Sequence, residues 1–201
     1  IEEVKSMVEW AKANGMIICV HCGSQSVPGA ERLTADRFLV LDPDKATHLN
    51  GDGGHVALPW DEIEEIIKKS RKETKLEVVF HGNWKIANEI IETLKERHEL
   101  DRIVLGSDQP IGMGIELGAI WSLLRYISSV LEIPPEYAIP MAAGNSSDLY
   151  KLNRGKIEVG READILIVDA PPGSRAKNFL EALEFGDPCG PALVMVDGRV
   201  V

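Results

Sequence analysis

The chain has 201 residues, 44% of them hydrophobic, and a formal net charge of −10. That length and apolar content support a folded core of one large domain, or one plus a small appendage, and argue against disorder. The acidic balance argues against a phosphate-backbone binder, and no apolar run approaches the roughly 20 residues needed to cross a bilayer. Neither a nucleic-acid nor a membrane partner is therefore expected.

Residues 2 to 13 place Val4, Met7, Val8 and Ala11 at the spacing of a helix with one buried face, which Asn14-Gly15 stops. The charged opening Ile1-Glu2-Glu3-Val4-Lys5 is no secretory leader, and a helix that starts at once on Ile suggests a chain that begins in mid-domain. Met16 to Val20 forms an apolar strand with His21 at its carboxyl end. Cys19 and Cys22 form a nominal C-x-x-C. Residues three apart on a strand point to opposite faces, so joint chelation is disfavoured. Three cysteines in a chain of this size suit a reducing, cytoplasmic setting.

Thr34-Ala35-Asp36 caps a short helix running to about Leu41, and Lys45 to Leu49 is a minimal strand containing His48. Asn50-Gly51-Asp52-Gly53-Gly54 reads as flexible backbone, lacking the spacing of a phosphate-binding fingerprint. Pro59-Trp60-Asp61 opens a helix with Ile63, Ile66 and Ile67 on its buried side, and its Lys/Glu mixture reads as a solvated face. A strand from Leu76 to Phe80 ends at His81, a helix from Lys85 to His98 follows, and the strand Ile103 to Leu105 delivers Asp108. His98 reads as a surface residue. Two further helices are expected, from Leu117 to Leu131 and from Pro135 to about Leu152.

Short apolar strands alternating with helical stretches point to a parallel sheet. His21, His48, His81 and Asp108 close successive strands at separations of 27, 33 and 27 residues. One strand-helix unit of a β/α barrel takes about 30 residues, so these four groups meet at the carboxyl rim, where such folds carry their active sites. After Leu152 the texture turns β-rich, and Asp197-Gly198 between two apolar runs is a hairpin signal. The expected organisation is therefore a β/α unit over residues 1–152 and part of a small sheet domain over 153–201.

The run Gly155-x-Ile157-x-x-Gly160-x-x-Ala163-Asp164-Ile165-x-x-Val168-Asp169, with Ala143-Gly144-Asn145 and Ser107-Asp108, resembles the amidohydrolase superfamily. Within it, Thr34-Ala35-Asp36, His48-Leu49-Asn50-Gly51, Gly82-Asn83 and Gly144-Asn145-Ser146 are most similar to the enamidase pattern. The resemblance implies an α/β fold: the C-terminal half of a TIM-type (β/α)8 barrel, strands five to eight, plus part of a small β-sandwich.

It makes His21, His48 and Asp108 metal ligands for one or two divalent ions, zinc or iron, with Asp108 also the base that activates water. It places His81, Asn83 and His55 toward a small cyclic amide or enamide-type substrate, and a homo-oligomer is expected of the full-length protein. The first-strand His-x-His pair and the fourth-strand lysine of the family do not occur here, so the half shell alone is expected to be inactive. A non-catalytic barrel serving binding or assembly is the alternative. An open flavodoxin-like domain is disfavoured by the missing Gly-rich fingerprint.

Overall fold

The computed structural model describes residues 1–25, 27–110 and 114–201. Two compact units divide the chain, residues 1–115 and 116–201. The change of texture at 152/153 falls inside the second unit, because helices that precede it pack on a helix that follows it.

The first unit runs α1 (Glu2–Ala13), β1 (Cys19–His21), α2 (Ala35–Leu41), β2 (Lys45–Thr47), α3 (Trp60–Lys69), β3 (Lys75–Val79), α4 (Trp84–Glu96) and β4 (Ile103–Gly106). The four strands form a parallel sheet in chain order, β1-β2-β3-β4. Alternation along the strands gives the sheet two unlike faces. Ala46, Leu76, Val78, Ile103 and Leu105 lie on a wholly apolar one and join Phe38, Ile63, Ile66, Ile90, Ile91 and Leu94 of the helices in the core. Lys45, Thr47, Lys75 and Glu77 occupy the other face.

Local chemistry sets the helix ends. The Thr34 side chain accepts from the Arg37 amide at the start of α2, and Asn83 does the same for Lys85 and Ile86 at the start of α4. The expected buried stripe of α1 is not buried among the described residues. Val4, Met7 and Trp10 are exposed, and no α1 residue is fully covered.

The amino ends of the strands are stitched by polar groups. Asp44, just before β2, accepts from the Ile18 amide ahead of β1 and from Arg71. The Thr74 hydroxyl, before β3, donates to the Pro43 carbonyl. Arg102, before β4 and only 1% exposed, donates to the carbonyls of Ile67 and Thr74, to Ser70 Oγ and to Glu99. The Ile67 carbonyl belongs to the last turn of α3, so the guanidinium also caps that helix.

The second unit contains α5 (Ala119–Ser129), α6 (Pro135–Ala142), α7 (Gly144–Tyr150), β5 (Ile165–Val168), α8 (Phe179–Glu184), β6 (Pro191–Val196) and β7 (Arg199–Val200). The helix expected from Pro135 to Leu152 is two helices, broken at Ala143 (φ −135°, ψ −72°). Pro140 lies inside α6 and weakens its last turn by lacking an amide, the helix ends at Ala142, and α7 starts at Gly144. Strands β5, β6 and β7 form a small antiparallel sheet. Asp197 and Gly198 both take positive φ, 47° and 74°, as the tight hairpin between β6 and β7 requires. Among the described residues, no helix is long and apolar enough to cross a membrane.

Candidate metal centre

His21 is the last residue of β1, and its Nδ1 lies 2.9 Å from Nε2 of His48. The two rings meet edge to face at 4.5 Å between centroids. His48 reaches this position against the strand's own alternation, which would send it to the apolar side with Ala46. Strand β2 stops at Thr47 rather than continuing to Leu49, and His48 takes φ +37°, which turns its ring toward His21. A non-glycine residue in that region costs about 1–3 kcal/mol, strain that concentrates at functional sites. Burial, helped by the neighbouring His21, lowers the His48 pKa below its ordinary value despite the pull of Asp52 and Asp108. A neutral imidazole is the form that ligates a metal.

The third member of the cluster is Asp52, which sequence reasoning did not single out. His21, His48 and Asp52 each bring a ligand atom within 4.8 Å of the other two. Asp52 Oδ2 stands 3.8 Å from His48 Nε2. Its Oδ1 accepts the amides of Gly54 and His55, each at 2.6 Å, and its carboxylate also holds His55 Nδ1 at 2.8 Å. Burial pushes this carboxyl up, but those hydrogen bonds outweigh it and the pKa falls below the ordinary aspartate value. The loop is thus not the flexible backbone expected of its glycines. A Cβ on Gly51 (φ +74°) would come within 2.6 Å of the Ala57 amide nitrogen. An aspartate two residues before a glycine is an Asx-turn signal, and it was the available sign of this fold-back.

Asn50 anchors the same loop. It is fully buried, and its side-chain amide pairs with the Val79 backbone in both directions, at 2.9 and 3.0 Å. The Asn50 carbonyl in turn accepts the Asn83 amide at 2.8 Å.

Asp108 follows β4 in a left-handed conformation, φ +59°. Its Oδ2 is buried with no hydrogen-bond partner among the described residues. Burial raises its pKa, the charges of Asp52 and Glu77 push the same way, and His48 and His81 pull against them. Asp108 therefore lies within electrostatic reach of His48, Asp52 and His81, although it stands outside the three ligand atoms that lie within 4.8 Å of one another.

Of the residues expected to meet substrate, His55 packs its ring 5.0 Å from that of His21. His81 places Nε2 at 3.4 Å from the Gln109 side chain and stacks edge-on against Phe80. Asn83 is exposed, and its side-chain oxygen is engaged as the cap of α4. Cys22 is buried and burial pushes its thiol far up, whereas Cys19 is exposed, and the two form no disulfide.

Imidazole nitrogen and carboxylate oxygen are donors that zinc and ferrous iron accept. Among the described residues, two buried side-chain atoms, His48 Nδ1 and Asp108 Oδ2, have no hydrogen-bond partner. The donor set fits a divalent ion.

The amidohydrolase family model matches residues 2–201. Enamidase of Eubacterium barkeri is 38% identical over 201 residues, covering all of this chain and 51% of that protein. The crystal structure of enamidase superposes with a TM-score of 0.92 at 37% identity, covering 99% of this chain and 51% of that one. A β-aspartyl dipeptidase from Fervidobacterium islandicum AW-1 gives a TM-score of 0.67 at 16% identity, over 99% of this chain and 50% of that one, a likeness of fold alone. The chain spans about half the length of the relatives it matches. With its match running from residue 2 to the last, its parallel sheet and its strand-end histidines, the chain belongs to the amidohydrolase family.

Proposed function

We propose that the chain supplies part of the catalytic centre of a metal-dependent hydrolase that cleaves a carbon-nitrogen bond of a cyclic amide or enamide-type small molecule. In this reading β1 to β4 are strands five to eight of a (β/α)8 barrel, and β5 to β7 belong to a small β-sandwich. The observation that carries it is the convergence of His21, His48 and Asp52 at the carboxyl ends of the strands, with Asp108 within electrostatic reach of His48 and its buried Oδ2 unpartnered among the described residues.

His21, His48 and Asp108 would hold the ion, and Asp52 would offer a further carboxylate. When bound, the metal supplies Lewis acidity toward the amide carbonyl and acidifies water. Asp108 accepts the proton of the attacking water and returns it to the departing nitrogen. His55, held by Asp52, and His81, beside Gln109, line the approach to the substrate ring. The full-length protein acts as a cytoplasmic homo-oligomer.

The test is turnover of a panel of cyclic amides by the full-length protein. Chelation should abolish activity, and added zinc or iron should restore it. Asp108→Asn should lower turnover by about three orders of magnitude or more with the fold retained, in keeping with loss of general-base catalysis and metal ligation together. Near-normal turnover of this variant sinks the assignment.

A further inference from the structure

We propose that Glu77, clamped by Lys45, is a positioning residue that presents the His48 imidazole to the metal; the role rests on the metal-centre reading above. The problem it solves is set by the strand. His48 follows Thr47 in β2 and by alternation belongs on the apolar side with Ala46, yet its ring lies on the His21 side. The backbone twist at His48 (φ +37°) makes that possible, and such a twist persists only where the surroundings over-determine it.

Glu77 provides that surrounding. Its Oε2 accepts the His48 amide at 3.0 Å, and its own backbone carbonyl accepts the next amide, Leu49, at 2.8 Å. One residue of β3 thus grips both amides of the reversing turn. The other carboxylate oxygen, Oε1, accepts Lys45 Nζ at 2.8 Å. Lys45 stands on β2 three residues before His48, so the clamp is closed on the strand it controls.

The pair is largely withdrawn from water, with side-chain exposures of 9% for Lys45 and 15% for Glu77. Burying two charges is a poor route to stability, since apolar residues of like volume often do as well, and such pairs are better explained by what they orient. The neighbouring strand makes room for the carboxylate. A Cβ at Gly106 would lie 3.1 Å from Glu77 Oε1 and 3.2 Å from Val79 Cγ1, so β4 carries glycine where the brace crosses it. The groups that hold a ligand's backbone and ring in place commonly govern metal affinity as much as the ligands do.

The test uses the full-length protein with Zn2+ affinity by chelator competition, the visible spectrum of the Co2+ form, and amide exchange of His48 in the metal-free state. Lys45→Met/Glu77→Met removes the brace without leaving an unpaired charge. It should fold, bind Zn2+ about 10- to 100-fold more weakly and show an altered Co2+ spectrum, the usual cost of losing a group that orients a ligand. Two shorter steps keep the test alive if that variant does not fold. Glu77→Gln keeps the reach and an acceptor and should stay close to native affinity, whereas Glu77→Asp retracts the acceptor and should lose affinity and His48 amide protection together. Native Zn2+ affinity and a native Co2+ spectrum in the folded double variant, or equal affinity in the Gln and Asp variants, overturns the brace. A native protein that binds no Zn2+ overturns the metal-centre reading instead.

Discussion

The tightest joint behind the candidate site is Gly82, and Gly82→Ala tests it. A Cβ there would stand 2.2 Å from Asn50 Nδ2 and 2.5 Å from the Gly51 carbonyl oxygen. Neither neighbour has room to yield. Asn50 is fully buried and spends both ends of its amide on Val79, and Gly51 is wedged against Ala57. Overpacking of this kind costs about 1–3 kcal/mol. Loss of the two Asn50–Val79 hydrogen bonds adds about 0.5–1.5 kcal/mol each, so the variant should be destabilised by about 2–6 kcal/mol. Urea unfolding followed by tryptophan fluorescence measures this as a lower midpoint at unchanged slope. Gly54→Ala is the control in the same loop, because its Cβ would meet only Asp52 Oδ1 at an ordinary 3.6 Å. A Gly82→Ala protein within about 0.5 kcal/mol of native, the range of an innocuous surface change, would refute the reasoning. The site should report the same injury, since the displaced loop carries Asp52 and His55 beside His21.

Two further outcomes concern the opposite end of the sheet. Arg102→Met should cost about 2–6 kcal/mol by urea unfolding, because it leaves the Ile67 and Thr74 carbonyls without this donor, about 1–3 kcal/mol each, and Glu99 with Arg97 alone; a loss below about 1 kcal/mol would mean that water replaces the guanidinium. Burial pushes the Glu99 carboxyl up, but Arg102 and Arg97 outweigh it and hold the pKa below the ordinary glutamate value of 4.5. As pH falls, the unfolded chain therefore takes up this proton first, and the stabilisation present above about pH 4.5 is lost as pH drops through the folded value. Unfolding free energies measured between pH 6 and pH 3 should fall less steeply in Glu99→Gln than in the native protein, and identical slopes would contradict the assignment.

The parallel sheet was legible because its strands are short apolar runs between helical repeats, and the polar residue closing each run marks the same rim. His21 and His48 meet as their spacing implied. Two things were hidden. The run Lys45 to Leu49 looks like uninterrupted strand, and the backbone reversal that brings His48 back to the site is imposed by Glu77 from another strand. Asp52 sits among glycines that suggest looseness, and against its one Asx-turn signal it is the hydrogen bonds to Gly54 and His55 that show the loop folding back on itself. The apolar pattern of residues 135–152 likewise continues through the break at Ala143, and the proline and glycine flanking it were the better guide.

The stitching of the strands' amino ends has a consequence for descent. Asp44, Arg71, Thr74 and Arg102 secure the sheet at one end, while His21, His48, His81 and Asp108 stand at the other. Changes in the loops after the strands are thus separated from the groups that keep the strands aligned. A lineage built this way can vary those loops, and whatever they contact, while the ancestral scaffold passes through the change intact.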